Sequence, residues 1–249
     1  MIRVLLTGCG GRMGKVVAQL CASREDFEVC AGVDVALPVC DFPVYENCCQ
    51  VKEKPDVIID FSFHTAISDI LSYAVANLIP AVIATTGFTK EELALIEEAQ
   101  KKIPVFRSAN MSLGVNLICQ LAKKAARFLP DFDIEIIEKH HNQKVDSPSG
   151  TALMLADEIA SVMPEEMKYL HGRSGICGKR QKNEIGIHAV RGGTIVGEHE
   201  VLFAGPNECV TISHSAGSRE ILANGAICAA QFLIEKNPGL YSMKDIFED

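Results

Sequence analysis

The chain has 249 residues, 48% apolar and 22% charged, with 24 Lys and Arg against 32 Asp and Glu for a formal charge of −8. That length and balance suit a soluble globular protein of one large or two modest domains with ample core material. The acidic balance and the lack of a basic patch exclude nucleic acid and anionic membrane surfaces as expected partners, and no apolar run approaches the roughly 20 residues that span a bilayer.

Ile2 to Thr7 is a short apolar run that reads as a buried strand. It leads into Gly8-Cys9-Gly10-Gly11-Arg12-Met13-Gly14, and a helical pattern follows from Lys15 to Cys21. A strand, a glycine-rich turn and a helix together let backbone N–H groups and a helix dipole hold a pyrophosphate. The spacing departs from a strict G-x-G-x-x-G, because Met13 takes its third glycine position; Gly8-x-x-Gly11-x-x-Gly14 serves the same turn. Phe27 to Val33 reads as a second strand, with Asp34 at its end, 34 − 14 = 20 residues past the last glycine. A carboxylate there accepts hydrogen bonds from an adenine ribose 2′-OH. The following Val35-Ala36-Leu37-Pro38 offers no cation for a 2′-phosphate, so NADH is favoured over NADPH.

Asp56–Phe61, Ala81–Thr85 and Ile103–Phe106 read as further strands, alternating with helices over Thr65–Leu78 and from a Thr89/Glu92 capping box to about Lys102. This alternation predicts an α/β fold with a Rossmann-type doubly wound parallel sheet, which binds ligands at the carboxyl ends of its strands. The turns at Ala84-Thr85-Thr86 and Ala109-Asn110 stand at such ends, placed to meet the nicotinamide half of a dinucleotide.

The pattern then changes. Ser112 to Leu129 reads as one long helix, and Phe132 to Ile137 as a half-buried strand with Ile134 and Ile136 on one face. Next comes Glu138-Lys139-His140-His141-Asn142-Gln143-Lys144-Val145-Asp146-Ser147-Pro148-Ser149-Gly150, and Thr151 opens a helix to Met163. Protonatable groups ahead of a helix N-terminus that attracts carboxylates suit reduction of a small polyanionic substrate. Neighbouring residues of an extended segment point to opposite faces, so the paired histidines are not expected to bind a metal. Arg173 to Lys182 is a basic loop. Ile185–Arg191, Thr194–Phe203 and Cys209–His214 read as a hairpin series joined by Gly-Gly and Gly-Pro-Asn turns. These predict a smaller α+β domain with an open mixed sheet, for which self-association is the simplest cover. Arg219 to Lys236 reads as an Ala-rich helix returning to the first domain. The expected domains are therefore 1–111 with 219–249, and 112–218.

Ten cysteines, at 9, 21, 30, 40, 48, 49, 119, 177, 209 and 228, include no C-x-x-C pair and read as reduced, structural residues. Met1-Ile2-Arg3 runs straight into a strand without a signal-peptide pattern, so a cytoplasmic location is expected.

With both halves laid out, the chain resembles the 4-hydroxy-tetrahydrodipicolinate (dihydrodipicolinate) reductase family. The resemblance rests on the Gly8–Gly14 turn, Ala84-Thr85-Thr86-Gly87-Phe88, and Ala109-Asn110-Met111-Ser112-Leu113-Gly114-Val115-Asn116. It rests also on Glu138 through Leu153, Glu184 through Gly193, and Val196-Gly197-Glu198-His199. It implies NAD(P)H-dependent reduction of a small cyclic dicarboxylate in the diaminopimelate and lysine pathway. His140 matches the family's general acid/base and Lys144 its second proton donor; His141, Gly150 and Thr151 match substrate contacts. Gly8, Cys9, Gly10, Gly11, Arg12, Met13, Asp34, Ala84, Thr85, Thr86, Ala109, Asn110, Met111 and Ser112 match cofactor contacts. The resemblance also implies a homotetramer assembled through the second-domain sheets. Ala84 stands in place of a usual Gly, Met111 of a common Phe and Thr194 of a usual Asp.

Overall fold

The computed structural model describes residues 1–247. The chain divides into two compact units, one made of Met1–Leu113 with the residues from Glu220 onward, the other of Gly114–Arg219. In chain order the elements are β1 (Ile2–Thr7), α1 (Arg12–Ala22), β2 (Phe27–Val33), β3 (Val44–Tyr45), β4 (Val57–Asp60), α2 (Ile67–Asn77), β5 (Ala81–Ile83), α3 (Lys90–Ala99) and β6 (Pro104–Arg107). Then come α4 (Leu113–Phe128), β7 (Asp133–His140), α5 (Gly150–Ala160), β8 (Lys168–His171), β9 (Glu184–Arg191), β10 (Gly197–Ala204) and β11 (Cys209–Ala216). The chain closes with α6 (Glu220–Leu233), β12 (Gly239–Tyr241) and α7 (Met243–Ile246).

The first unit holds a seven-stranded parallel sheet in the order β12-β6-β5-β4-β1-β2-β3. Its strands read as continuous apolar runs because both faces are buried. Val4, Leu6, Val57 and Ile59 pack with Val17 of α1 and Ala226 and Ala230 of α6. The alternate residues Leu5, Ile58 and Ile83 pack with Ile70 of α2 and Ile96 of α3. The sequence order of the strands reverses between β1 and β4, and such a switch point opens a crevice at the strand ends. The capping box expected for α3 is present: Thr89 Oγ1 accepts from Glu92 N at 3.2 Å, and Thr89 N donates to Glu92 at 2.8 Å.

The second unit is a mixed five-stranded sheet, ordered β11-β10-β7-β9-β8. This corrects the expected hairpin series. Only the Gly205-Pro206-Asn207 turn joins antiparallel neighbours, whereas β7 lies between β9 and β10 and pairs in parallel with β9. Gly192-Gly193 therefore crosses the end of β7 instead of turning a hairpin: Gly192 N donates to His140 O at 2.9 Å, and Asn142 N to Gly193 O at 3.2 Å. Period-two alternation reports which face a strand buries and is silent about which strand lies beside it.

One face of this sheet, with Ile134, Ile136, Ile187, Val201 and Phe203, packs on Ala122 of α4 and Leu155 of α5. The other face carries Glu135, Ile137, Lys139, Glu200 and Leu202, all partly exposed. The basic loop is tied down to that face. Arg173 donates to Glu135 at 2.9 Å; Arg180 reaches Glu135 at 3.2 Å and Asp133 at 2.8 Å, and also caps the Glu184 carbonyl at 2.6 Å.

Candidate active site

In the first unit, Gly8 adopts φ +76°, and a Cβ there would stand 2.5 Å from Phe61 O. Both features demand glycine at this position. Gly11 precedes α1 as its N-cap, so the helix N-terminus opens directly on the turn. At the end of β2, one Asp34 oxygen accepts from Gly10 N and the other from Ala36 N, both at 2.9 Å. The carboxylate is thereby aimed at the mouth of the glycine turn. A cavity of about 430 Å³ lies there, lined by Gly8, Gly11, Asp34, Phe61, Ser62 and Ile70. A helix N-terminus, a turn that admits no Cβ and an oriented carboxylate over one cavity fit a dinucleotide. The Cys9 thiol points inward toward Gly32 and is pushed up to about 12 by burial, with Cys40 and Asp34 adding to the effect. Cys9 therefore presents backbone, not a nucleophile, to the turn.

Of the second cofactor segment, Thr85 Oγ1 donates to Ser62 O at 3.1 Å, and Thr86 is exposed. These residues line a smaller cavity of about 280 Å³ with Ala84 and His64. Asn110 Oδ1 accepts from Ser112 N at 2.9 Å and shapes the turn after β6. Met111 sends its side chain into the core at 3% exposure, so its departure from the family's Phe lies in packing. In this unit one residue escaped sequence reasoning. Asp60, buried at the end of β4, accepts from Thr7 Oγ1 at 2.6 Å and from Ser62 N at 3.0 Å, pinning the two strands that flank the switch point. Its signal was a single charge closing the run Val57-Ile58-Ile59.

In the second unit, β7 extends to His140, so strand alternation puts Glu138 and His140 on the buried face with Ile134 and Ile136. Glu138 has no exposed surface. It accepts from His140 Nδ1 at 2.7 Å, from both terminal nitrogens of Arg191 at 2.7 Å each, and from Ser149 N at 3.1 Å. Burial alone would raise its pKa; Arg191, His140 and the Ser149 N–H together outweigh burial and hold it below the usual carboxylate range. An ionised carboxylate only accepts, so His140 carries a proton on Nδ1 and leaves Nε2 turned away from Glu138. That Nε2 lies over Gly197, where a Cβ would stand 3.1 Å away.

The helix α5 begins beside this pair. Its N-cap Ser149 accepts from Ala152 N at 3.2 Å, and the Ser149 hydroxyl also shares a 2.9 Å hydrogen bond with His199 Nε2. Gly150 and Thr151 are the first two helical residues. The His199 ring meets His140 edge-on at 5.2 Å between centroids. His141 follows the strand half-buried, and Lys144 pairs with Asp146 at 2.8 Å in the loop between. Around Glu138 the structure thus gathers His140, Ser149, His199 and Arg191; the last two stood in matching motifs without an assigned task. Among the described residues, no group of three or more potential metal ligands occurs.

Burial, and then His140, push His199 down to about 4 from an ordinary 6.5. A histidine depressed in the folded state binds fewer protons folded than unfolded between those values. Its contribution to stability is complete above 6.5 and drains away as pH falls toward 4, to about 3 kcal/mol in total. Below 4.5 the depressed carboxylates Glu135 and Glu138 add losses of the same sign. The melting temperature is expected to decline from pH 6.5 downward, with a flatter slope in His199→Gln. Equal slopes in the two proteins over pH 6.5 to 4.5 would show that His199 is not a buried neutral group.

A Rossmann-type sheet with a dinucleotide turn, joined to a second unit that surrounds a histidine with charge, defines a two-domain nicotinamide-dependent oxidoreductase. The sequence profile of the dihydrodipicolinate reductase N-terminus matches residues 2–111, and that of its C-terminus matches residues 114–247. The chain belongs to the dihydrodipicolinate reductase family. It is 59% identical to the 4-hydroxy-tetrahydrodipicolinate reductase of Caldanaerobacter subterraneus subsp. tengcongensis, covering 99% of this chain and 98% of that one. It is 52% identical to the enzyme of the same name from Clostridium tetani, over 98% and 96% of the two chains. Among solved structures, dipicolinate-bound dihydrodipicolinate reductase from Paenisporosarcina sp. TG-14 superposes with a TM-score of 0.83 at 29% identity, covering 99% of each chain.

Proposed function

We propose that this chain reduces 4-hydroxy-tetrahydrodipicolinate to tetrahydrodipicolinate in diaminopimelate and lysine biosynthesis, consuming one NAD(P)H and one proton and releasing NAD(P)+ and water. The observation that carries this reading is the placement of one protonatable histidine and one helix start around a single buried carboxylate, in a chain whose two halves both match the family. Loss of the 4-hydroxyl as water leaves a conjugated imine in the ring. When bound, the nicotinamide supplies the hydride that adds at C4. The neighbouring ring carbon, left with an electron pair, takes a proton. His140 is the donor through Nε2, and Lys144 is a second donor whose ammonium also holds a substrate carboxylate. His141 and the N–H groups of Gly150 and Thr151 receive a ring-borne carboxylate, since cations and helix N-termini offset anionic charge.

Gly8 through Met13, Asp34, Ala84 through Thr86 and Ala109 through Ser112 would hold the cofactor. The oriented carboxylate of Asp34 and the uncharged Val35–Pro38 support NADH as the preferred form. Asp34→Ala is expected to weaken NADH by about 10- to 100-fold, the worth of charge-assisted hydrogen bonds to a ribose, with little change for NADPH in a competition titration. Equal losses for both cofactors would remove Asp34 from discrimination.

The partly polar sheet face that includes Glu200 and Leu202 supports a homotetramer assembled there, and no helix among the described residues is long and apolar enough to cross a membrane, in keeping with a cytoplasmic enzyme. Sedimentation should give a four-chain particle for wild type and smaller species for Leu202→Lys. The reaction itself is tested with NADH and freshly formed 4-hydroxy-tetrahydrodipicolinate: reduced-nicotinamide absorbance falls if the proposal holds and stays constant if it does not.

A further inference from the structure

We infer that Glu138, which has no assigned part in the reaction proposed above, is the positioning residue that locks the proton donor and the carboxylate-binding helix start into one rigid body; the inference rests on that reaction. Each oxygen of Glu138 serves one of the two parts. Oε2 accepts from His140 Nδ1 at 2.7 Å, and Oε1 accepts from Ser149 N at 3.1 Å, one residue before Gly150. Arg191, from β9, grips both oxygens at 2.7 Å, so the carboxylate is neutralised where it sits and does not itself take the histidine's proton.

A fully buried carboxylate is a costly way to fill space, because apolar side chains of similar volume hold a core as well or better. What apolar packing cannot do is set a tautomer. The Glu138 bond forces the Nδ1–H form of neutral His140, leaving Nε2 to deliver the proton. The Ser149 bond then fixes where the acceptor's carboxylate lies relative to that nitrogen, which is the alignment a proton transfer requires. His199, from β10, braces the same assembly, with its ring edge on His140 and its Nε2 on the Ser149 hydroxyl. The charged and titratable groups around this cluster are Arg191 from β9, His199 from β10, His214 beside it on β11, and Lys144 and Asp146 from the loop after β7.

The test compares Glu138→Gln and Glu138→Asp with wild type in kcat, KM, NADH dissociation constant and the pH profile of kcat/KM. A glutamine has one acceptor oxygen where the carboxylate has two, so its NH2 must oppose either His140 Nδ1–H or the Ser149 N–H, and the negative charge beside the ring is lost. Glu138→Gln is therefore expected to lose about 100-fold in kcat, to raise KM, and to shift the basic limb of the profile down by about one pH unit, while NADH affinity is retained. Glu138→Asp, which keeps the charge, is expected to recover part of kcat and return the basic limb toward wild type. In addition, 15N-histidine spectra of wild type, with His140 assigned by its loss in His140→Gln, should show the Nδ1–H tautomer. An Nε2–H tautomer, or a Glu138→Gln enzyme whose pH profile and kcat per folded site match wild type, overturns the inference. A wild type that oxidises no NADH overturns the reaction beneath it instead.

Discussion

His140→Ala is expected to lower kcat by about 10²- to 10⁴-fold, the usual worth of a positioned proton donor, while NADH affinity stays near wild type. The separation follows from where the groups lie. The dinucleotide turn, Asp34 and the Thr85 segment all belong to the first unit, whereas His140 belongs to the second. The fold should survive the change. Removing the imidazole takes one of four hydrogen bonds from Glu138, and Arg191 still bonds both oxygens. Lys144→Ala is expected to differ in kind. It removes the cation proposed to hold a substrate carboxylate and frees Asp146, whose carboxylate is held low chiefly by its hydrogen bond to that ammonium. An acid then faces an anion, so KM should rise together with the fall in kcat. Steady-state kinetics with both variants, alongside NADH titration, separates the two roles; a parallel loss of NADH binding would place His140 in the scaffold.

Most of the architecture was legible because the responsible patterns are local. Both-face burial makes β1, β4 and β5 continuous apolar runs, the Thr89/Glu92 pair announces α3, and Gly8 through Gly14 announces the turn. What was not legible is non-local. Nothing in Ile185–Arg191 reports that β7 lies beside it, and β3, β8 and β12, at two to four residues, are too short to show a period. The site divides the same way. His140 and Ser149 stand nine residues apart, so their meeting on Glu138 lay within one stretch of the chain. Arg191 and His199 reach Glu138 and Ser149 from more than forty residues away, across a strand order that alternation does not encode. Glu138 stood just past the end of the expected strand, first in the histidine stretch and with no task assigned; only its complete burial, with a cation and two donors on it, sets it apart.

Gly14→Ala is expected to be far more destabilising than Gly11→Ala at the same dinucleotide turn. Its Cβ would stand 2.2 Å from Gly8 O and 2.7 Å from Cys9 Cα, and both neighbours are backbone that cannot rotate away. Either α1 lifts off the turn or β1 shifts in a sheet whose flanking side chains Leu5 and Leu6 have no exposed surface. Overpacking of this kind costs about 3 kcal/mol, or about 10 °C in melting temperature for a chain of this size. Gly11→Ala meets only Gly8 O at 3.2 Å and should cost far less, while Gly150→Ala meets nothing within 4 Å and should melt with wild type. NADH binding is expected to fall with Gly14→Ala even below the melting transition. The close approach that leaves no room for a methyl is the same one that brings the N-terminal turn of α1 onto Gly8, and a helix held further out presents its N–H groups at the wrong depth for a pyrophosphate. Calorimetry and NADH titration on the three glycine variants check both halves of this argument. A Gly14→Ala protein with wild-type melting would mean that α1 does not rest on the turn, and the pyrophosphate site would then have to be built by some other contact.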